Sequence, residues 1–275
     1  MMDVALVQMQ VGQDVKSNLG KMEKMVEQAA SAGAQVVVLP EMFCCLYQTE
    51  SFLRYNEPVN GQIWSALKET ARRNKVYLIG GSMPEDGMDG HIYNTCFSFD
   101  PQGEQIGRHR KVHLFDVDIK NGMRFKESDT FTSGKELTIL ETPFGRLGIM
   151  ICFDIRFPEW SRLLSLSGAE VIIVPAAFNM TTGPAHWQMS FKARALDNQV
   201  FMLGCSPARD ETGPYVSYGH SIIAAPWGNV LAELDENEGL LLCQIDLGSV
   251  KSIREQLPLL KSMRKDLYED LLKRI

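Results

Sequence analysis

The sequence contains no CxxC pair and no run of about 18 consecutive apolar residues. A thiolate zinc site or a thioredoxin-type redox pair therefore has little support, because both chemistries use closely spaced cysteines. Without a long apolar run, we expect no transmembrane helix and no membrane partner.

An excess of basic charge is also missing, since 28 Lys and Arg face 34 Asp and Glu for a net charge of −6. Phosphate backbones require clustered cations, so we expect no nucleic-acid partner. Residues 1–14 carry no basic segment before their apolar stretch, so they predict a first strand rather than a signal peptide. We therefore expect a cytoplasmic protein with reduced thiols at its six cysteines.

Short β-rich runs alternate with helical periods along the 275 residues. Strand-helix-strand patterns occur in both halves, which favours two sheets packed face to face with helices outside them. No linker or break in composition is visible, so residues 1–275 are predicted to form one domain.

Two segments are less regular than the rest. Residues 112–136 have neither a helical nor a strand period, and a loop of that length in a compact domain is more often functional than idle. The C-terminal segment from about residue 249 is predicted to be one final helix with Pro258 in its early part.

Cys152 stands where an apolar strand ends and a helix beginning at Pro158 is about to start. Amide groups at such a turn can lower the pKa of a thiol and donate to an oxyanion, which makes Cys152 a candidate nucleophile. A buried structural cysteine is the alternative, because free cysteine is among the most buried residue types.

A nucleophile needs a base, and two candidates are histidine and carboxylate. His109 and His113 would make a metal pair only on a helix, whereas their segment reads as a strand running into a loop. Glu41 directly follows a buried strand, a position that is either a solvated rim or an active site. Lys111 lies between a hairpin strand and the aperiodic region; alone, it would be an ordinary solvated lysine.

These positions resemble the carbon-nitrogen hydrolase (nitrilase) superfamily, whose members carry Glu, Lys and Cys in this chain order. The motifs are "LPEMF" with Glu41, "HRKVHLFD" with Lys111 and "GIMICFDIRFPE" with Cys152. Further similar stretches, which extend the resemblance over essentially the whole chain, are "GPAHW", "ARALDNQ", "SPARD", "YGHS" and "PWG".

The resemblance implies a four-layer αββα sandwich, commonly paired as a homodimer or built into a higher homo-oligomer. It implies catalysis by Glu41 as acid and base, Lys111 as oxyanion donor and Cys152 as nucleophile, with Glu127 in support. The backbone N–H of Phe153 would be a second oxyanion donor in the substrate site. No metal and no organic cofactor is implied.

Within the superfamily the chain is most similar to the omega-amidase branch, whose substrates are the small amides 2-oxoglutaramate and 2-oxosuccinamate. The stretches "HLFD", "DNQ" and "SPARD" carry this finer resemblance. Deaminated glutathione amidase is the alternative within the superfamily, and a non-enzymatic scaffold on the same fold is the alternative outside catalysis.

The 2-oxo-acid amides carry a distal carboxylate, which calls for a cationic or backbone donor. Arg156, Arg194 and Arg209 are available for it. Arg156 lies close to Cys152 in the chain, but an ion pair with Asp154 or Glu159 is an equally good expectation, so none of the three is assigned.

Overall fold

Two β-sheets lie at the centre of the computed structural model, which describes residues 1–118 and 124–273. Within these residues the strands are β1 (Met2–Gln8), β2 (Val36–Val38), β3 (Tyr77–Ile79), β4 (Met83–Asp86), β5 (Ile92–Phe99), β6 (Gln105–Arg110), β7 (Asp116–Asp118), β8 (Arg124–Lys126), β9 (Thr138–Thr142), β10 (Gly145–Ile149), β11 (Val171–Pro175), β12 (Phe201–Cys205), β13 (Ile222–Ala224), β14 (Val230–Glu233) and β15 (Gly239–Ile245). The helices are α1 (Val15–Ser31), α2 (Thr49–Tyr55), α3 (Gln62–Asn74), α4 (Pro158–Leu166), α5 (Gly183–Asn198), α6 (Gly248–Gln256) and α7 (Lys265–Leu272).

Each sheet is built around parallel strands joined through helices. The first sheet has the order β15-β1-β2-β3-β5-β4, with β6 paired to β5, and the second has the order β14-β13-β12-β11-β10-β9. The runs β1-β2-β3 and β10-β11-β12 are parallel, and antiparallel strands flank them. Parallel pairs need crossover connections, which α1, α3, α4 and α5 provide. The strand-helix-strand pattern predicted in both halves is confirmed.

The two faces of the first sheet pack against different layers. Successive side chains of a strand point to opposite faces, so Val4 and Leu6 of β1 join the core between the sheets. Ala5 and Val7 join a second core, together with side chains of α1 and α3 such as Met22.

Helices α4 and α5 cover the outer face of the second sheet. A Cβ at Gly148 would lie 3.1 Å from the side chain of Leu164 in α4, and one at Gly204 would clash with the Phe191 ring in α5. Glycine at these two positions therefore lets the helices approach the sheet closely. The order of layers is helix, sheet, sheet and helix, which confirms the αββα sandwich.

Two local predictions were wrong. Part of the aperiodic region folds as the antiparallel pair β7 and β8, followed by a 3₁₀ turn over Glu127–Asp129; its residues 119–123 lie outside the described residues. The single C-terminal helix is two helices, α6 and α7, because proline lacks the N–H that a helix needs and disfavours helical backbone before it. The break falls at Leu257 and Pro258. Of the helices described, none is long and apolar enough to cross a membrane.

Candidate active site

Glu41, Lys111 and Cys152 follow the carboxyl ends of core strands and meet below the protein surface. Glu41 lies in the turn after β2, Lys111 directly follows β6, and Cys152 begins a 3₁₀ turn after β10. Glu41 and Lys111 are fully buried, and Cys152 is 5% exposed. The fold thus removes from water two groups that are normally charged, which is costly unless each has a partner.

Lys111 joins two carboxylates. Its Nζ lies 2.9 Å from Oε1 of Glu41, and 2.8 Å and 3.1 Å from Oε2 and Oε1 of Glu127. Asn94 donates from its side-chain amide to Oε1 of both glutamates at 2.9 Å. The backbone N–H of Phe115 donates to Oε2 of Glu127 at 2.6 Å. These bonds hold the ammonium and both carboxylates in a fixed arrangement.

Attraction between the charges of this cluster offsets the cost of burying them. Burial alone lowers the pKa of Lys111, but the carboxylates of Glu127 and Glu41 outweigh it, so the pKa is raised and the ammonium is stable. Burial raises the pKa of Glu41, and Lys111 opposes that rise. Among the described residues, Oε2 of Glu41 has no hydrogen-bond partner, which leaves one oxygen of this carboxylate available to exchange a proton.

Cys152 is held as a thiol beside these groups. Burial and the Glu41 carboxylate raise its pKa, while Lys111 and the backbone N–H of Ala177, 3.5 Å from the sulfur, lower it. The net rise is opposite to the lowered pKa that the turn led us to expect. A thiol of this kind reacts only as its proton is taken, so a neighbouring base is needed.

A narrow cavity of about 10 Å³ lies next to the sulfur. Phe153 and Arg156, from the turn that follows Cys152, line it with Phe115, Ala177, Phe178, Thr182 and Tyr215. A second cavity of about 30 Å³ shares Ala177 and Tyr215 and is lined by Glu41.

A much larger cavity of about 460 Å³ lies elsewhere and contains none of the buried cluster. Two of the cations that line it, Arg108 and Arg110, already pair with the buried carboxylate of Glu85. Chemistry and burial therefore favour the cavity at Cys152 as the reaction site, despite its smaller volume.

The structure separates the three arginines considered for a substrate carboxylate. Arg194 donates to the backbone oxygens of Ile155 and Arg156, and Arg209 donates to that of Tyr218. Arg156 alone of the three lines the cavity, with its guanidinium 4.6 Å from the centre of the Phe178 ring and 3.0 Å from Nδ1 of His186. Among the described residues Arg156 forms no ion pair with Asp154 or Glu159, the two carboxylates considered for it, and the Asp154 carboxylate binds His109 and His113 instead.

The carbon-nitrogen hydrolase family model matches residues 3–255. The chain belongs to the carbon-nitrogen hydrolase family. This hydrolase is 44% identical over 265 residues to omega-amidase NIT2 of Danio rerio, a match that covers 96% of this chain and 95% of that protein.

Solved structures of hydrolases agree with this assignment. Nit3 of Saccharomyces cerevisiae, a member of branch 10 of the nitrilase superfamily, has a TM-score of 0.88 at 38% identity and covers 96% of each chain. A variant of the amidase from Nesterenkonia sp. AN1 has a TM-score of 0.81 at 25% identity and covers 98% of this chain and 97% of its own. In that amidase the acetamide moiety of fluoroacetamide is covalently added at the active-site cysteine.

The fold of this hydrolase brings Glu41, Lys111, Cys152 and Glu127 together and places Phe153 at the same cavity. Sequence reasoning missed Asn94, which binds both glutamates, and Asp154, which binds both histidines. The position of Asp154, just after Cys152 in the same motif, was the one available signal for it. No spacing rule identifies Asn94, because it lies inside a strand.

Proposed function

We propose that this hydrolase is an omega-amidase that converts the terminal amide of small 2-oxo-acid amides, such as 2-oxoglutaramate and 2-oxosuccinamate, to the acid and ammonia. The observation that carries the proposal is the buried contact of Glu41 and Lys111 beside Cys152, at a cavity lined by Arg156. The similarity to omega-amidase NIT2 of Danio rerio supports the substrate class.

In the first half of the reaction, Glu41 accepts the Cys152 thiol proton as sulfur forms a bond to the amide carbon. The Lys111 ammonium and the backbone N–H of Phe153 stabilise the tetrahedral oxyanion. Glu41 then returns the proton to the amide nitrogen, the carbon-nitrogen bond breaks, and ammonia leaves a thioester on Cys152. The unpartnered oxygen of Glu41 suits this exchange.

In the second half, Glu41 takes a proton from water as the water oxygen bonds to the thioester carbon. The carbon-sulfur bond breaks, the acid leaves, and the proton returns to sulfur. Glu127 holds Lys111 in place through both halves without exchanging protons itself. The residues alone supply this chemistry, so we propose no metal or organic cofactor.

We propose that Arg156 binds the distal carboxylate of the substrate. Replacement by glutamine is expected to lower kcat/KM for 2-oxoglutaramate about 10- to 100-fold, because hydrogen bonds to charged groups are worth about 1.5–3 kcal/mol. The loss should lie mainly in KM. Steady-state ammonia release measures it.

Two controls define the role of Arg156. Arg156→Lys keeps the positive charge and should retain part of the affinity. A short amide without a carboxylate should react equally with wild type and Arg156→Gln. An equal loss on charged and uncharged amides would show that Arg156 supports the site rather than the substrate carboxylate.

A substrate panel tests the activity itself. Wild type is expected to release ammonia from 2-oxoglutaramate and 2-oxosuccinamate faster than from deaminated glutathione, in keeping with its similarity to omega-amidase NIT2 of Danio rerio. Inert 2-oxo-acid amides with rapid turnover of deaminated glutathione would instead assign the hydrolase to that activity. Absence of any turnover, with no acyl adduct on Cys152 by mass spectrometry, would leave the scaffold alternative.

We further propose that residues 1–275 form one domain in the cytoplasm and that two copies pair as a homodimer. The cysteines of the described residues are all unpaired, as a reducing compartment requires.

The proposed dimer interface lies on the α5 side. Large apolar surfaces are exposed there around one shallow cavity by Met189, Leu196 and Trp227, and a second copy would cover them.

Leu196→Glu is expected to halve the molar mass measured by light scattering, because a buried charge at the centre of an interface opposes pairing. Leu53→Glu is the matched control, since Leu53 is an exposed leucine on α2. A mass that stays dimeric in Leu196→Glu would move the interface to another face; a monomeric wild type would reject the dimer.

A further inference from the structure

We propose that Asp154 is a positioning residue. Through hydrogen bonds to His109 and His113 it fixes the position of the Cys152 nucleophile relative to the Lys111 ammonium. The inference rests on the amidase mechanism proposed above and adds a residue that neither binds substrate nor exchanges protons. It accounts for the two histidines, which no part of that mechanism uses.

The first set of contacts fixes the turn that carries Cys152. The backbone N–H of Asp154 donates to the Ile151 oxygen at 3.0 Å, and Oδ2 of Asp154 accepts from the Ile151 N–H at 2.9 Å. Cys152 lies between them with φ of +44°, a left-handed conformation that costs energy for a residue with a Cβ. Strain of this kind persists only where neighbouring contacts enforce it. The Asp154 carboxylate supplies one such contact.

The second set of contacts reaches the segment that carries Lys111. Oδ1 of Asp154 lies 2.9 Å from the His113 backbone nitrogen and 2.7 Å from its Nδ1. Oδ2 lies 3.3 Å from Nε2 of His109. Because an ionised carboxylate only accepts hydrogen bonds, the ring nitrogens that face it carry hydrogens. His109 and His113 flank Lys111, so one carboxylate is tied to the chain on both sides of the ammonium.

The side chains of His109 and His113 are themselves held in place by further contacts. The His113 ring stacks on Phe157 with 3.7 Å between ring centres, and the His109 Nδ1 lies 3.1 Å from the Thr138 hydroxyl. His109 is 1% exposed and Asp154 is fully buried. A buried network in which each member is bonded behaves as a rigid unit, so movement of one loop is transmitted to the other.

The charge of Asp154 is stable in this setting. Burial favours the protonated acid, but the hydrogen bonds from His109, His113 and the Ile151 amide outweigh it and lower the pKa of Asp154. Among the described residues, no group of three or more His, Cys, Asp and Glu side chains could hold a metal ion. The His109, Asp154 and His113 cluster is therefore a hydrogen-bonded support.

Asp154→Asn tests the proposal, because asparagine has the same shape but loses the charge and one acceptor. The variant is expected to lower kcat on 2-oxoglutaramate about 100-fold, as a misplacement of about 1 Å can do, with KM within about threefold of wild type. Rates are expressed per folded protein, measured by circular dichroism of the same preparation, so unfolded protein does not count. A lowered melting temperature with kcat within about threefold of wild type would overturn the proposal.

Two variants of His113 test the proposal even if Asp154→Asn fails to fold. The side-chain amide of His113→Asn can still donate to Asp154, whereas His113→Ala cannot, so Asn is expected to retain at least about tenfold more kcat. Equal kcat in the two variants would show that the hydrogen bond from His113 to Asp154 does not matter for catalysis, and it would reject the proposal.

Labelling separates this proposal from the proposed function. The rate at which fluoroacetamide modifies Cys152, followed by mass spectrometry, needs no turnover and is expected to fall about tenfold in Asp154→Asn. A wild type that labels quickly but hydrolyses no 2-oxo-acid amide would count against the proposed function alone. Equal labelling of wild type and Asp154→Asn would count against the positioning role alone.

Discussion

Cys152→Ala is expected to reduce amide hydrolysis by roughly 10⁴- to 10⁶-fold, the range seen when the nucleophile of a covalent hydrolase is removed. Both proposed steps pass through a bond to this sulfur, and neither Glu41 nor Lys111 can replace it. Alanine keeps the Cβ at this backbone position and removes only the sulfur, so the fold should persist. Ammonia release and circular dichroism of the same preparation measure the two effects.

Cys45→Ala is the matched control, because Cys45 is also buried and lines the neighbouring cavity at Glu41. Its activity should stay close to that of wild type. A thioester with the mass of the acyl group should be trapped on wild type and be absent from Cys152→Ala. Turnover by Cys152→Ala at a tenth of the wild-type rate would exclude a covalent mechanism through this residue.

Lys111→Met is expected to lower both activity and stability. Loss of an oxyanion donor reduces kcat about 10²- to 10³-fold. Loss of the ammonium also leaves Glu41 and Glu127 buried without their cation, and breaking a buried ion pair costs about 3–5 kcal/mol of unfolding free energy. Urea titration and steady-state ammonia release separate the two losses.

Lys111→Met combined with Glu127→Gln provides the control, because the second change removes one of the stranded charges. Stability should recover in the double variant while kcat stays low, and Lys68→Met, at a half-exposed lysine, should change neither. A double variant that regains activity would assign Lys111 a purely structural role.

The stability of Lys111→Met should also depend on pH. Burial raises the pKa of Glu41 even with Lys111 present, so without the ammonium the folded state binds a proton more tightly than the unfolded chain does. The unfolding free energy of the variant should therefore rise as pH falls from neutrality toward about 4.5, and decline as Glu41 ionises at higher pH. Urea titrations across this interval measure the trend.

Position at strand ends made Glu41 and Cys152 candidates from the sequence, and the resemblance to the nitrilase superfamily combined them with Lys111 in one predicted site. Glu41 and Cys152 each follow an apolar run, and such runs end at sheet edges where reactive side chains are usually placed. The same reasoning failed for Asn94, whose strand is predictable but whose partners lie on loops far along the chain. Its role depends on which loops meet, and local sequence does not encode that meeting.

The pKa of the Cys152 thiol shows a second limit of sequence reasoning. A turn with free amides predicts a lowered pKa, and the Ala177 N–H does act in that direction. Burial and the Glu41 carboxylate are stronger, and both arise only when separate segments close over the sulfur. The prediction for the C-terminal region was wrong for a simpler reason. It continued one helix through Pro258, although proline breaks the interior of a helix.

Strand β15 pairs with β1 along its full length, from Met2 opposite Ile245 to Gln8 opposite Gly239. During synthesis β1 leaves the ribosome before β15, so the backbone groups on this side of β1 acquire partners only when residues 239–245 emerge. Until then the nascent chain presents an open sheet edge, the form of surface that promotes aggregation. A chain truncated before residue 239 would leave that edge uncovered, so β1 is protected only after β15 has been synthesised.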